Sequence, residues 1–139
     1  MFRECSNLTS IDVSKLNTVN IQNMRRRMFN RCYELTSINV SKFNTVNVQD
    51  MSNMFFNCSK LTSINVSKFN TDKVQNMNRM FYGCSKLTSI DVSKFNIDNV
   101  QNMNSMFKNC SKLTSIDVSK NDENKFKILL NEKVKLNLK

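Results

Sequence analysis

The sequence predicts an α/β fold, a right-handed solenoid with a parallel sheet on one flank and short helices on the other. The first observation is a fixed period, because such self-similarity is typical of repeat proteins. The cysteines recur at intervals of 27, 26, 26 and 26 residues: Cys5, Cys32, Cys58, Cys84 and Cys110. The second is that each repeat has a period-two apolar pattern and then a helical one. Strands that recur once per coil in one direction must pair in parallel.

Each repeat is predicted to begin with a short strand. In the stretch 87–93, Ile90 and Val92 point to one side, whereas Ser89, Asp91 and Ser93 point to the other. The strand should therefore have one buried face and one solvent-exposed face.

A helix is predicted to follow, from about residue 72 to about residue 82 in the third repeat. Its apolar face would consist of Val74, Met77, Met80 and Phe81, and the residues suited to cap its first turn are Thr71 and Asp72. Residues that tolerate left-handed backbone occupy one repeat position after it: Asn57, Gly83 and Asn109. We therefore expect each coil to read strand, turn, helix, turn.

One elongated domain is expected, because a single repeat buries too little apolar surface to offset the entropy lost on folding. The predicted repeats are about 1–27, 28–53, 54–79, 80–105 and 106–120, and residues 121–139 form a C-terminal cap. The cap is read as a hairpin that turns at 131–133. The alternative is a frayed helix that uses Phe126, Leu129, Leu130 and Val134.

Residues 1–5 match the end of each later repeat helix, and no signal peptide precedes them. We expect a fragment of a longer array; the alternative is a short intact protein whose open end a partner covers. The first repeat has one extra residue within 24–28, where a bulge is expected.

The segment 61–70 has apolar residues at its first, fourth and sixth positions, as in leucine-rich repeats. The longer pattern Met-Phe-x-x-Cys-Ser-x-Leu-Thr-Ser-Ile-Asp-Val-Ser-x-Phe-Asn-Thr-x-x-Val-x-Asn-Met resembles the BspA-like leucine-rich repeat surface-protein family. The resemblance covers residues 1 to about 120. It implies a leucine-rich-repeat-like solenoid in a microbial protein that is secreted or lies at the cell surface. Some members of that family act as adhesins for host matrix proteins.

The chain is basic, with 21 Lys+Arg against 11 Asp+Glu and a formal net charge of +10. Two lysine columns recur along the array: Lys15, Lys42, Lys68, Lys94 and Lys120, and Lys60, Lys86 and Lys112. We interpret these columns either as a solvated edge that keeps the sheet face soluble or as a basic surface that binds polyanions. The densest candidate anion patch is Arg25, Arg26 and Arg27. Nucleic acid is disfavoured as a partner, because the aromatic residues belong to the apolar face.

The cysteines and methionines are predicted to fill equivalent positions in the core. Neither a metal nor another cofactor is expected, because histidine is absent and no two cysteines are close in sequence. Enzymatic activity is not expected either. Asp12, Asp91 and Asp117 would lie on an open sheet face without a pocket to shift their pKa.

The leading functional hypothesis is a protein-binding module that uses its exposed sheet face for adhesion to a host matrix or surface protein. The predicted contact residues are Ser37, Asn39, Ser41, Ser63, Asn65, Ser67, Ser89, Asp91 and Ser93, with Lys42, Lys68 and Lys94. The alternatives are a basic scaffold for sulfated glycans and a structural or antigenic spacer. No apolar run is long enough to span a membrane, and open sheet ends favour end-to-end self-association.

Overall fold

The structure is a computed structural model that describes residues 2, 4–25 and 28–139. The chain winds into coils that lie one upon the next. Its strands are β1 (Ser89–Asp91), β2 (Ser115–Val118) and β3 (Lys135–Leu138), and its helices are a short 3-10 helix (Lys120–Asp122) and α1 (Glu123–Lys127).

The sheet flank is parallel, as the recurrence of the strand pattern predicts. β1 pairs with β2 so that Ile90 lies beside Ile116 and Asp91 beside Asp117. Earlier coils continue the same ladder through single bonds, in which the Thr62 N–H donates to the carbonyl of Thr36. The predicted alternation is confirmed, because Ile90 and Val92 are buried while Ser89 and Asp91 are exposed.

The predicted helix over residues 72–82 is wrong, because the structure places consecutive turns there. Within one coil, the Met80 N–H donates to the carbonyl of Met77, which closes a turn. Every second N–H group from Met77 to Gly83 bonds to the next coil instead, and the Phe81 N–H reaches the carbonyl of Met106 there at 3.0 Å. This second flank is therefore held by bonds between coils, and we call it the turn flank (residues 23–25, 28–31, 50–57, 76–83 and 102–109).

Left-handed residues explain why no helix forms on the turn flank. A helix requires right-handed backbone at every residue, whereas Arg79 has φ 53° and Gly83 has φ 72° within one coil. The same two positions repeat in neighbouring coils as Asn53, Asn57, Ser105 and Asn109. Sequence predicted positive φ at Asn57, Gly83 and Asn109, and this is confirmed, although these residues end turns and not helices.

Asparagine and aspartate side chains form the corners of each coil. In the third coil the Oδ1 atoms of Asn65, Asn70 and Asn76 each accept a hydrogen bond from the backbone N–H two residues later, at 3.0–3.1 Å. Such local bonds favour turns and compete with helix formation. Equivalent corners occur in the other coils at Asp12, Asn17, Asn23, Asn39, Asn44, Asp50, Asp91, Asn96 and Asn102.

The core consists of columns of identical side chains, so each coil packs against copies of itself. Phe55 stacks between Phe29 and Phe81, with ring centroids 5.6 and 5.4 Å away. The column continues to Phe2 at one end and Phe107 at the other. The methionines of the turn flank are buried, as predicted: Met24, Met28, Met51, Met54, Met77, Met80 and Met106, with Met103 half-buried.

The tail forms a shortened last coil. The hairpin prediction is wrong, because β3 pairs with β2 in parallel, with Ser115 beside Lys135 and Val118 beside Leu138. A hairpin would pair its strands antiparallel. The helical alternative is correct only around Phe126, which α1 buries, since Leu129, Leu130 and Val134 lie beyond its end. The repeat boundaries, the division at residue 120 and the right-handed winding stay predictions.

Candidate functional site

The candidate site is the sheet face, defined as the outward-facing residues of three successive coils: Ser37, Asn39, Ser41, Lys42, Ser63, Asn65, Ser67, Lys68, Ser89, Asp91, Ser93 and Lys94. All are exposed except Ser93, which is half-buried. Parallel pairing with a buried alternate residue puts these side chains on one surface. The first two coils also form a shallow groove of about 330 Å³, which Ser37, Asn39 and Lys42 line together with Asp12.

The middle residue of each coil in this face has a structural task. Asn39 and Asn65 use Oδ1 to accept the backbone N–H groups of Ser41 and Ser67, both at 3.0 Å. The hydrogen bond from the Ser14 backbone N–H lowers the pKa of the equivalent carboxyl, Asp12. These side chains close the corner after the strand, so changing them alters the coil as well as the surface.

Asp91 already has a cationic partner in the chain. The Lys139 ammonium lies 2.9 Å from Oδ2 of Asp91 and also pairs with Oδ2 of Asp117 on the neighbouring strand. The Asn137 amide donates to Oδ1 of Asp117 at 2.7 Å. β3 therefore places two polar side chains, those of Asn137 and Lys139, against the acidic pair of the sheet face.

The pKa values of this cluster shift as its pairing requires. Hydrogen bonds from Lys139 and Asn137 lower the pKa of Asp117. Partial burial raises the pKa of Asp91, but the bonds from Ser93 and Lys139 outweigh it and lower that pKa overall. The same bonds, to Asp117 first, raise the pKa of Lys139. Both carboxyls are held ionised at neutral pH, which does not suit either to serve as a general acid.

Most lysines of the two columns are unpaired. Lys60 bonds to the carboxylate of Glu34 at 2.7 Å, because Glu34 occupies the lysine position in the preceding coil. Lys42, Lys68 and Lys94 are exposed and form no ion pair with any residue that the structure describes, and the same is true of Lys86 and Lys112 in the other column. The sheet face therefore has an unpaired lysine in each of its three coils.

The predicted arginine patch is described only at its first residue. Arg25 is exposed, and its backbone N–H donates to Oδ1 of Asn23 at 2.8 Å. Arg26, Arg27 and the bulge predicted there lie outside the described residues. The patch stays a prediction.

The thiols lie in equivalent core positions, as predicted. The Sγ atoms of four thiols donate to a backbone carbonyl one coil earlier, for example from Cys84 to Phe55 at 3.2 Å; the four are Cys32, Cys58, Cys84 and Cys110. Burial raises the pKa of Cys32 and Cys110 to about 11, and it raises that of Cys84 well above the usual range. A thiol that stays protonated is a weak nucleophile, so this column is structural.

Sequence reasoning placed Asp117 on the sheet face but missed Asn137 and Lys139 as its partners. Lys139 lies 48 residues from Asp91 in the chain, and no repeat pattern extends into the tail to align them. The alternation of Leu136 and Leu138 with polar residues was the one signal that a strand begins near residue 135.

Among the residues described, no helix has the length and apolar character needed to cross a membrane. The stacked coils define a repeat protein built from copies of one unit of about 26 residues. The chain belongs to the family described as "Mycoplasma protein of unknown function, DUF285", whose model matches residues 1–121.

A comparison with curated proteins gives no match. Among solved structures, a leucine-rich repeat protein from Bacteroides ovatus is similar, with a TM-score of 0.49 and 17% sequence identity. The match covers 94% of this chain and 35% of the Bacteroides chain, so this chain spans about a third of its length.

Proposed function

We propose that the chain is a non-catalytic, protein-binding repeat module of a microbial surface protein, and that it adheres through its sheet face. The observation that carries this proposal is the repetition of the same exposed Ser-x-Asn/Asp-x-Ser surface in consecutive coils. A surface that repeats can engage a repetitive partner at several points at once, and linked weak contacts give strong overall binding. The resemblance to BspA-like surface proteins supports a location outside the cell and a host matrix protein as the partner.

The test must separate the loss of a binding contact from a disruption of the fold. Asn39, Asn65 and Asp91 close corners of the coil, so their substitution would confound the two effects. The serines that start each strand pattern are better targets, because they are exposed: Ser37, Ser63 and Ser89. Replacing all three with arginine adds bulk and charge to the sheet face alone.

The matched control places three arginines on another exposed column: Gln49, Gln75 and Gln101. Both variants gain the same charge. Binding to a panel of immobilised extracellular-matrix glycoproteins should fall at least tenfold for the serine variant and stay unchanged for the glutamine variant. Equal binding by both variants would refute the sheet face as the contact surface.

A second function, binding of sulfated glycans, is favoured by the unpaired column of Lys42, Lys68 and Lys94 together with the net charge of +10. Such binding releases counter-ions and should weaken steeply with salt. Retention on heparin that persists above about 0.3 M salt, and that is lost when the three lysines become glutamine, would support it. Elution at low salt would leave the protein-binding or spacer roles.

A further inference from the structure

The last complete coil has a row of backbone donors without acceptors. In the coil before it, the N–H groups of Met77, Arg79, Phe81 and Gly83 donate to carbonyls of residues 102–108 at 2.8–3.0 Å. The equivalent donors one coil later are Met103, Ser105, Phe107 and Asn109. None of these four N–H groups has a hydrogen-bond partner among residues 2, 4–25 and 28–139.

The tail leaves this row open because it closes only the other flank. β3 covers β2, so the sheet ladder continues, with the Lys135 N–H donating to the carbonyl of Thr114 at 2.8 Å. The return from Asp117 to Asn137 takes 20 residues, whereas a complete coil takes 26. The chain that would run along the turn flank is missing from this shortened coil.

A groove of about 790 Å³ lies where that chain would run, between residues 104–111 and 128–134. Its apolar lining includes Phe107, Leu129, Leu130 and Val134. Ile128, which also lines it, is 84% exposed. A groove with both polar and apolar side chains beside a row of free N–H groups has the two features by which a segment adds to an edge: backbone bonds for affinity and pockets for side chains.

We propose that this groove, the open coil edge, binds a turn-flank segment from another chain of the same repeat type and so completes the coil. The inter-coil contacts already present identify the segment. Residues 76–83, with the sequence Asn-Met-Asn-Arg-Met-Phe-Tyr-Gly, supply carbonyls at alternate positions to the coil before them. The four open donors are spaced in the same way, at every second residue, and therefore match a segment of this length.

The half-buried side chains that line the groove give the segment its side-chain specificity. Phe107 stacks on Phe81 at 5.7 Å and is only 5% exposed, so its ring is already covered within the chain. The methionine and phenylalanine of an added segment would instead pack against Leu129, Leu130 and Val134, which are half-buried. The open coil edge lies on the flank opposite the sheet face, so it is independent of the proposed adhesion surface.

The test uses the full chain and a synthetic peptide with the sequence of residues 76–83. We expect the peptide to shift the amide NMR signals of Met103, Ser105, Phe107 and Asn109, and to slow their hydrogen exchange at least tenfold. The control peptide has its second methionine and its phenylalanine replaced by serine, and it should produce neither effect. Equal effects of both peptides, or shifts confined to other residues, would overturn the proposal.

A pair of variants locates the site independently. Val134→Arg puts a charged side chain into the groove, whereas Asn124→Arg adds the same charge on the exposed side of α1. The first should weaken peptide binding at least tenfold and the second should leave it unchanged. If Val134→Arg does not fold, the exchange measurement on the unaltered chain still decides the question.

Discussion

Replacing Thr45 with valine should reveal how much the buried hydroxyl column contributes to stability. Thr45 is 2% exposed, and its Oγ1 donates to the carbonyl of Asn70 at 2.8 Å. The same oxygen accepts the N–H of Asn70 at 2.8 Å. One hydroxyl therefore joins two coils by two hydrogen bonds. Thr18 and Thr71 repeat the arrangement.

Valine preserves the shape of threonine but removes both bonds. Each net bond contributes about 1 kcal/mol, so we expect the free energy of unfolding to fall by about 2 kcal/mol. A sterically acceptable apolar residue already exists at this position two coils further on, because Ile97 is buried there at 3% exposure. The loss should thus come from the unpaired N–H and carbonyl of Asn70 and not from packing.

The matched control is Thr62→Val. Thr62 makes one longer bond, from Oγ1 to the carbonyl of Thr36 at 3.3 Å, and its side chain is exposed. Water can replace that bond, so the expected loss is under about 0.5 kcal/mol. With a urea slope of about 2 kcal/mol/M, the midpoint measured by circular dichroism should shift by about 1 M for Thr45→Val alone. Equal shifts for the two variants would refute the reasoning.

Three further predictions concern the tail, the turn flank and the thiols. Lys139→Met should destabilise the fold at neutral pH more than the control Lys133→Met does. Because Lys139 lowers the pKa of Asp117, this difference in unfolding free energy should fade as the pH drops below about 4. A difference that stays constant with pH would contradict the prediction. Gly83 has φ 72°, and a Cβ there would clash with Oδ1 of Asn57, so both Gly83→Asn and Gly83→Val crowd Asn57. The valine variant should cost about 1–2 kcal/mol more in thermal unfolding, because only asparagine tolerates left-handed backbone, and equal costs would contradict this. Half-buried Cys5 should be alkylated by iodoacetamide well before Cys84, because burial shields the Cys84 thiol and raises its pKa. Equal alkylation rates, measured by mass spectrometry, would contradict this and show that the core opens.

The columns of the core could be predicted from sequence, because burial follows the repeat period directly. Cys58, Leu61 and Ile64 are apolar in every copy of the unit, and a position that repeats in sequence repeats in space. One of the two left-handed positions was readable in three coils, where asparagine or glycine occupies it. The other, which includes Arg79, gave no such signal.

The helix was mispredicted because apolar spacing alone is ambiguous. Val74, Met77 and Met80 lie three residues apart, which fits a helical face and equally fits a series of three-residue turns. The discriminating signal was polar: Asn70 lies just before this stretch and Asn76 within it, and each is able to bond the backbone two residues on. Three such corners in every coil were present in the sequence, and they favour turns over helix.

The exposure of the sheet-face residues followed from the alternating pattern, but the pairing of their charges could not be predicted. Asp91 appears in sequence as a lone exposed acid, and only the parallel docking of β3 brings Lys139 to it. Contacts made by a segment outside the repeat carry no periodic signal. The tail therefore accounts for most of what the sequence did not reveal about this surface.

The hydrogen bonds between coils, such as the one from Phe55 to Met80, run from one coil to the next along the length of the stack. A tensile force on the two ends would therefore load a few of these bonds at a time, and the chain should peel away one coil after another. Each released coil would add roughly 90 Å of extended polypeptide. A protein built in this way would act as an extensible tether, lengthening under shear in discrete steps while the remaining coils stayed folded.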